Sequence, residues 1–398
     1  MDAKKNMQLV RGGRGDVRAC ESPEEVSPEI SEQDQEIFFR VIAEDLTPEQ
    51  VERVVNPPRS YPREHSVLAT HWHPEFVPLE LIARRIEAAF HQREEELIIP
   101  TQHNVLLHWG PYAGVEVDCY SRGFNQKVQL LLHFHESRLR GENAGVLRSM
   151  LAHTFQYRSS QLFDFLATLT RPHAERLDEA ARETGADAAL VEFVRAYALK
   201  IEKLLEQHHD RIPPDAIKNK LVRNFFDTLR PRYGDGIINK AQAFLKAVKQ
   251  LVKEGFSLGY FYRTTEIIEE TRALGGCVVV PHPEQFWPIL LADYDVDGFE
   301  VWNPQSQRYT EFLIGVVNRK NAAQSALRPS ARRFLVFMGD DTHMGEKVKE
   351  PEYQDGLKAE REVGLQPAWD DLSIGKQLIL AGMDKAGIIR EYKNRLDG

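Results

Sequence analysis

Residues 67–74 read VLATHWHP, an apolar, β-favouring run that ends in two histidines separated by one residue. In a strand, side chains i and i+2 point to the same face, so His71 and His73 are predicted to lie side by side. A single such pair carries little information. Its meaning depends on whether other strands finish the same way.

They do. The run ELIIPT leads into Gln102, His103 and Asn104, AGVEVD carries Glu116, and VQLLLHFHE carries His133 and His135. Further along, GGCVVVPHPE carries His282, GFEVWN carries Glu300, and FLVFMGDDTH ends in Asp340, Asp341 and His343. Several of these seven runs are continuously apolar, as expected for strands buried on both faces of a parallel sheet. Helical patterns lie between some of them, such as LELIARRIEAAFHQREEE and TTEIIEETRALGG, the latter ending at Gly275 and Gly276, a helix C-cap signal. Strands alternating with helices, with metal-capable groups gathered at the strand ends, predict an α/β fold of (β/α)-barrel type.

The flanks read differently. Residues 1 to about 30 are polar and charge-rich, and a helix is predicted after Thr47, an N-cap residue followed by Pro48 at the first helical position. From 138 to 262 the pattern is almost wholly helical, and it is read as a large insertion between the fourth and fifth strands. Expected boundaries are 1–60 for a tail and helix, 61–137 and 263–345 for the two halves of the barrel, and 346–398 for a C-terminal extension closing in a helix over GKQLILAGMDKAGIIREYKNRL. Three cysteines, Cys20, Cys119 and Cys277, form no CxxC pair and speak for a reducing compartment. There is no signal-peptide core and no apolar run of about 18 residues, so a cytoplasmic protein with no membrane partner is expected.

The formal net charge of −9 argues against a generally basic nucleic-acid binder. Within the insertion, however, residues 218–254 hold nine basic side chains, from Lys218 to Lys253, against three acidic ones. Nucleic acid is therefore a candidate partner, against a solvated amphipathic face as the plainer reading, since Leu221, Val222, Phe225 and Phe226 interleave at helical spacing.

Imidazole and carboxylate groups are ligands for zinc, manganese and iron, and a hydrolytic site needs several converging with a position left open. The order HxH, QHN, GVE, FHE, VVPHP, GFEV and DDTH resembles the polymerase-and-histidinol-phosphatase (PHP) family of metal-dependent phosphoesterases, over roughly residues 65–137 and 263–345. The resemblance implies a distorted seven-stranded (β/α) barrel, two or three divalent ions of zinc, manganese or iron, and hydrolysis of a phosphomonoester or phosphodiester, of a phosphorylated small molecule or a nucleotide. Carried over, it implies that His71, His73 and Asp341 hold one ion. Glu116 bridges to a second held by His135 and His282, and His103 and His343 belong to a third. Within FHE, His135 matches the family segment better than His133, which is left a supporting role. Catalysis falls to Asp341 with His103 or His343, one of the histidines protonating the leaving oxygen.

The pattern is departed from after HxH, where HWHPEFVPLE supplies Glu75 and Glu80 but neither the His nor the Asp that helps hold the third ion; either Glu75 substitutes or that site is weak. Arg122 and Arg138 follow site-bearing strands and are candidates to hold a phosphate through guanidinium forks, with Asn303 and Glu300 as further contacts or supports. Two other readings stand beside this one. An amidohydrolase-like C–N hydrolase needs a lysine at a strand end, and none ends these runs. A non-catalytic scaffold would hold metal without turnover.

Overall fold

The computed structural model describes residues 26–171, 174–351 and 354–398. The chain divides into two units, one of residues 26–43 with 162–255 and one of residues 44–161 with 256–398.

The smaller unit is helical. Its first helix, Glu32–Ile42, begins at a capping box in which Ser31 and Asp34 exchange hydrogen bonds with each other's backbone. Its aromatic core gathers Phe38, Phe193, Tyr197, Phe225, Phe226 and Phe244. The Lys200 ammonium on helix Ala188–Gln207 meets the Asp34 carboxylate at 2.7 Å, with both side chains buried. In helix Asp235–Glu254, Ile238, Ala241, Phe244, Leu245 and Val248 are buried while Lys240 and Lys246 are exposed. That is the amphipathic arrangement in which basic residues face water.

The larger unit carries the strands: β1 (Ser66–Ala69), β2 (Trp72–His73), β3 (Glu95–Ile98), β4 (Leu107–Trp109), β5 (Tyr112–Ser121), β6 (Gln126–His135), β7 (Cys277–Val280), β8 (Gly298–Trp302), β9 (Leu335–Met338) and β10 (Thr342–His343). Thr47 caps a helix at Pro48–Val55 as its sequence requires, and helix Thr264–Ala273 ends ahead of Gly275 at φ +69°. The C-terminal helix read as one element is two, Leu372–Leu380 and Lys385–Asp397. Gly382 takes φ +65° between them, and Asp384 caps the second by accepting from the Gly387 N–H.

Three hydrogen-bonded sheets form, β1–β3, β2–β10 and a six-stranded β4–β5–β6–β7–β8–β9, and they do not close into a continuous barrel. Between them run isolated backbone contacts. Thr101 N donates to Trp72 O at 2.9 Å, Asp341 N to His71 O at 2.9 Å, and His103 bridges to Glu116. The pleat is short at these seams because β2 and β10 are two residues each.

The expectation of strands running alike meets an exception. β6 is antiparallel to both β5 and β7, with Tyr112 opposite His135, Glu116 opposite Leu131, and His133 opposite Cys277. The cause is legible in chain length: only Arg122–Asn125 joins β5 to β6, and a parallel crossover needs a dozen residues or more.

Candidate metal centre

β1 stops at Ala69, and Thr70 leads into His71, Trp72 and His73. Parallel pairing of β2 with β10 sets His73 opposite His343, and their rings stack at 4.3 Å. On the other side, His103 stacks on His73 at 4.4 Å, held by the pairing in which Glu116 N donates to Gln102 O and Asn104 N to Glu116 O. β5 delivers Glu116 at its middle. His282 follows β7 between two prolines at φ +27°, its N–H donated to Glu300 Oε2 at 2.9 Å. Asp341 follows β9 at φ +47°. Of the five non-glycine residues with positive φ among those described, Glu75, Asn104, His282 and Asp341 lie in or beside this cluster. Such backbone persists only where surrounding structure over-determines it.

His103 apart, the cluster brings donor atoms together at spacings long for hydrogen bonds. Glu116 Oε1 lies 3.8 Å from His71 Nε2 and 3.5 Å from His282 Nε2, while Glu116 Oε2 lies 3.7 Å from His73 Nε2. Asp341 Oδ1 lies 3.7 Å from His71 Nε2, 3.4 Å from His73 Nε2 and 3.5 Å from His343 Nε2. Two donors sharing a tetrahedral ion at 2.0–2.1 Å stand about 3.4 Å apart. His71 Nε2 and His73 Nε2, the nitrogens that face Glu116 and Asp341, are buried without a hydrogen-bond partner. Buried polar atoms are ordinarily paired, so these residues fit divalent metal. Three groups of potential ligands emerge: His71, His73 and Asp341; His71, Glu116 and His282; and His73, His103 and His343.

The electrostatics agree. Burial pushes the Glu116 carboxyl up, but His103 at 2.5 Å, with His282 and His73, drives it well below the usual carboxylate range. Asp341 is held low in the same way, burial being outweighed by His343, His73 and His71. Burial together with neighbouring His343 and His103 pushes His73 down to about 3, so its ring is neutral. Two further carboxylates act from behind. Glu300 Oε1 sits 2.6 Å from His71 Nδ1, and Glu75 Oε1 is 3.4 Å from His343 Nδ1. Each addresses the nitrogen opposite the one aimed into the cluster, which fixes tautomer and ring orientation. Glu75 thus supports His343 from the far side of its ring and does not sit among the candidate ligands.

Two expected residues lie elsewhere. His135 pairs with Tyr112, four positions along β5 from Glu116, or about 13 Å at strand rise, and its Nδ1 meets Ser137 Oγ at 2.7 Å. The reversal of β6 carries its C-terminal end away from the cluster, and Arg138 travels with it to pack beside Gly275, ahead of β7. His133 is committed as well, to Tyr392 Oη and to Thr70 O. Arg122 is exposed in the β5–β6 turn. Asn303 is buried after β8, its Oδ1 accepting from Gln305 N and its Nδ2 without a partner. Trp72 is buried against Trp109 and serves packing.

Three features escaped the sequence reading. Asp118 shares the strand face of Glu116, is fully buried, and is covered by Lys127 at 2.6 Å and Arg158 at 2.8 Å. The spacing in GVEVD signals that shared face. Gln305 Nε2 and Arg361 Nη1 both donate to Asp341 Oδ2, each at 3.0 Å. Neither has a motif around it.

No family model matches the chain, and no curated protein matches it. Among solved structures it is similar to a protein of Bifidobacterium adolescentis proposed to be a metal-dependent phosphoesterase, at 17% identity and a TM-score of 0.37, covering 83% of this chain and 99% of the other. A likeness that remote fixes neither fold nor reaction.

Proposed function

We propose that this chain is a metal-dependent phosphoesterase that hydrolyses a phosphomonoester or phosphodiester of a small molecule or nucleotide. The observation that carries the reading is the convergence of His71, His73, Glu116, His282 and Asp341, whose donor atoms stand 3.4–3.8 Å apart. Those five residues would hold two ions, with His103 and His343 available to a third beside His73. The strands and their isolated backbone seams are read as a distorted seven-membered barrel presenting this cluster at one end.

Divalent ions bound there supply charge neutralisation at phosphoryl oxygens and lower the pKa of water. The chain's own groups do the rest. Glu300 and Glu75 hold the rings of His71 and His343 in one tautomer. His103 or His343, at the partly exposed edge of the cluster, would deliver a proton to the leaving oxygen. In place of Arg138, Lys127 and Arg158, which cover Asp118 two residues along β5 from Glu116, would hold a second anionic group of the substrate. The carbon–nitrogen hydrolase reading asks for a lysine at the metals. Lys347, buried nearby in sequence, donates instead to the carbonyls of Ala359 and Arg361.

Elemental metal content of the gently purified chain, beside an Asp341→Ala variant, tests the reading. About two or three transition ions per wild-type chain, with fewer in the variant and metal-dependent release of phosphate from a panel of esters, is the expected result. A chain that holds no metal and takes none up on reconstitution would overturn it.

A further inference from the structure

The segment Ala359–Gln366, AEREVGLQ, belongs to no strand and includes no regular helix past Ala359, yet Arg361–Gly364 and Gln366 within it are buried. Arg361, Glu362, Val363 and Gln366 are all under a tenth exposed. Burying charges in irregular chain is costly unless each is partnered, and here each has its anchor. Lys347 Nζ donates to the carbonyls of Ala359 and Arg361. Glu362 receives Arg85 bidentately at 2.6 and 2.7 Å. Gly364 N donates to Asp340 Oδ2 at 2.9 Å, and Gln366 Nε2 donates to Leu68 O at the base of the His71 strand. Gly364 itself takes φ +81°, and a Cβ there would stand 2.6 Å from Val67 Cγ1. A strap so heavily tied fixes whatever it carries.

It carries Arg361 to Asp341. One guanidinium nitrogen, Nη1, donates both to Asp341 O at 2.8 Å and to Asp341 Oδ2 at 3.0 Å. Gln305 supplies the second donor to Oδ2. The carboxylate is thereby divided: Oδ2 is saturated by the protein, and Oδ1 is left facing His71, His73 and His343. The bond to Asp341 O also pins a backbone held in the left-handed region.

We propose that Arg361 is a positioning residue of the metal centre, fixing the backbone and carboxylate of Asp341 so that a single oxygen is presented to the ions. The inference rests on the metal-dependent reading above and deepens it, because it makes residues after His343 part of the centre. Arginine suits this role because it stays charged at all working pH, and its planar fork is rigid where a lysine is a flexible point charge. Loss of such an outer partner typically weakens metal affinity 10–100-fold.

The test is an absorption titration with cobalt(II) of the full-length metal-free chain and its Arg361→Gln, Arg361→Lys and Val363→Ala variants, beside thermal unfolding of each. Arg361→Gln is expected to shift the visible cobalt spectrum and raise the dissociation constant 10–100-fold, with Arg361→Lys between it and wild type. Val363→Ala, which loosens the strap without touching Asp341, is expected to lower the unfolding temperature and leave the cobalt spectrum alone. Should Arg361→Gln fail to fold, the Lys variant carries the same comparison. Wild-type cobalt affinity and spectrum in the Arg361 variants would overturn the inference while leaving the metal reading standing, as would a Val363→Ala spectrum shifted as far as theirs. A wild-type chain that takes up no cobalt overturns both.

Discussion

His71 is addressed from two sides, with Glu300 2.6 Å from Nδ1 and the cluster at Nε2. Burial alone would keep the ring neutral, but Glu300, with Asp341 and Glu116 beyond it, pulls the pKa up to about 10 in the metal-free chain. A cation held at Nε2 would therefore displace a proton from a ring whose other nitrogen is bonded to Glu300, and that bond would make His71 a stronger donor. Glu300 also accepts from His282 N, so one carboxylate orders two candidate ligands. Glu300→Ala is expected to weaken metal affinity 10–100-fold, measured by competition against a chelator of known affinity. It should also lower stability by about 1–3 kcal/mol through the orphaned His282 N–H. Unchanged affinity would remove Glu300 from the centre.

At the scale of elements, direction decides which strand ends reach the cluster. The ends of β1, β7 and β9 deliver His71, His282 and Asp341, whereas β6 runs the other way and delivers His135 to the far end of β5. His135→Ala is accordingly expected to leave metal stoichiometry unchanged by elemental analysis; loss of an ion would contradict the register. In the helical unit, Asp34 and Lys200 join helix Glu32–Ile42 to helix Ala188–Gln207. Lys200→Ala strands a buried carboxylate and should cost about 3–5 kcal/mol, read by denaturant unfolding. Burial raises the Asp34 carboxyl, but hydrogen bonds from Lys200 and Ser31 outweigh it and hold its pKa below the ordinary value. The stabilisation is thus present above the unfolded value of about 3.9 and is lost as pH falls through the lower folded one. In Lys200→Ala, where burial is opposed only by the Ser31 hydrogen bonds, this loss of stability on acidification should shrink or reverse. Local pattern made the shared face of the HxH pair and the Thr47-Pro48 cap legible through spacing and capping chemistry, whereas the ligand roles of Glu116 and Asp341 came only with the family resemblance. The short link from β5 to β6 also stood in the sequence, and its length forbade the parallel crossover that placing His135 at the cluster required. Arg361 was not legible, because nothing periodic ties it to a residue 20 positions earlier; only tertiary folding brings them together.

For the whole strand-bearing unit, the weak places in the sheet pairing and the candidate ligands coincide. The β1–β3, β2–β10 and six-stranded ladders are joined by single hydrogen bonds at Thr101–Trp72 and Asp341–His71 and by the His103–Glu116 bridge. Those seams are the places from which His71, His73, His103, Glu116 and Asp341 converge. Where continuous pairing is missing, ions held in common by five segments would do the joining, and like-charged carboxylates that repel in their absence would be neutralised. Anything that binds the folded chain alone stabilises it by RT ln(1 + [L]/Kd), about 2.7 kcal/mol for one site at a hundredfold excess over Kd. Adding zinc to the metal-free chain should therefore raise its unfolding temperature in proportion to the logarithm of free zinc once the site is saturated. Asp341→Asn, which keeps the shape of the side chain but removes its charge, should move the onset of that rise to higher free zinc. A metal-free chain whose unfolding temperature ignores zinc, or an Asn variant whose rise begins at the wild-type zinc concentration, would mean that the seams hold without the ions and that the cluster's carboxylates are balanced by its histidines alone.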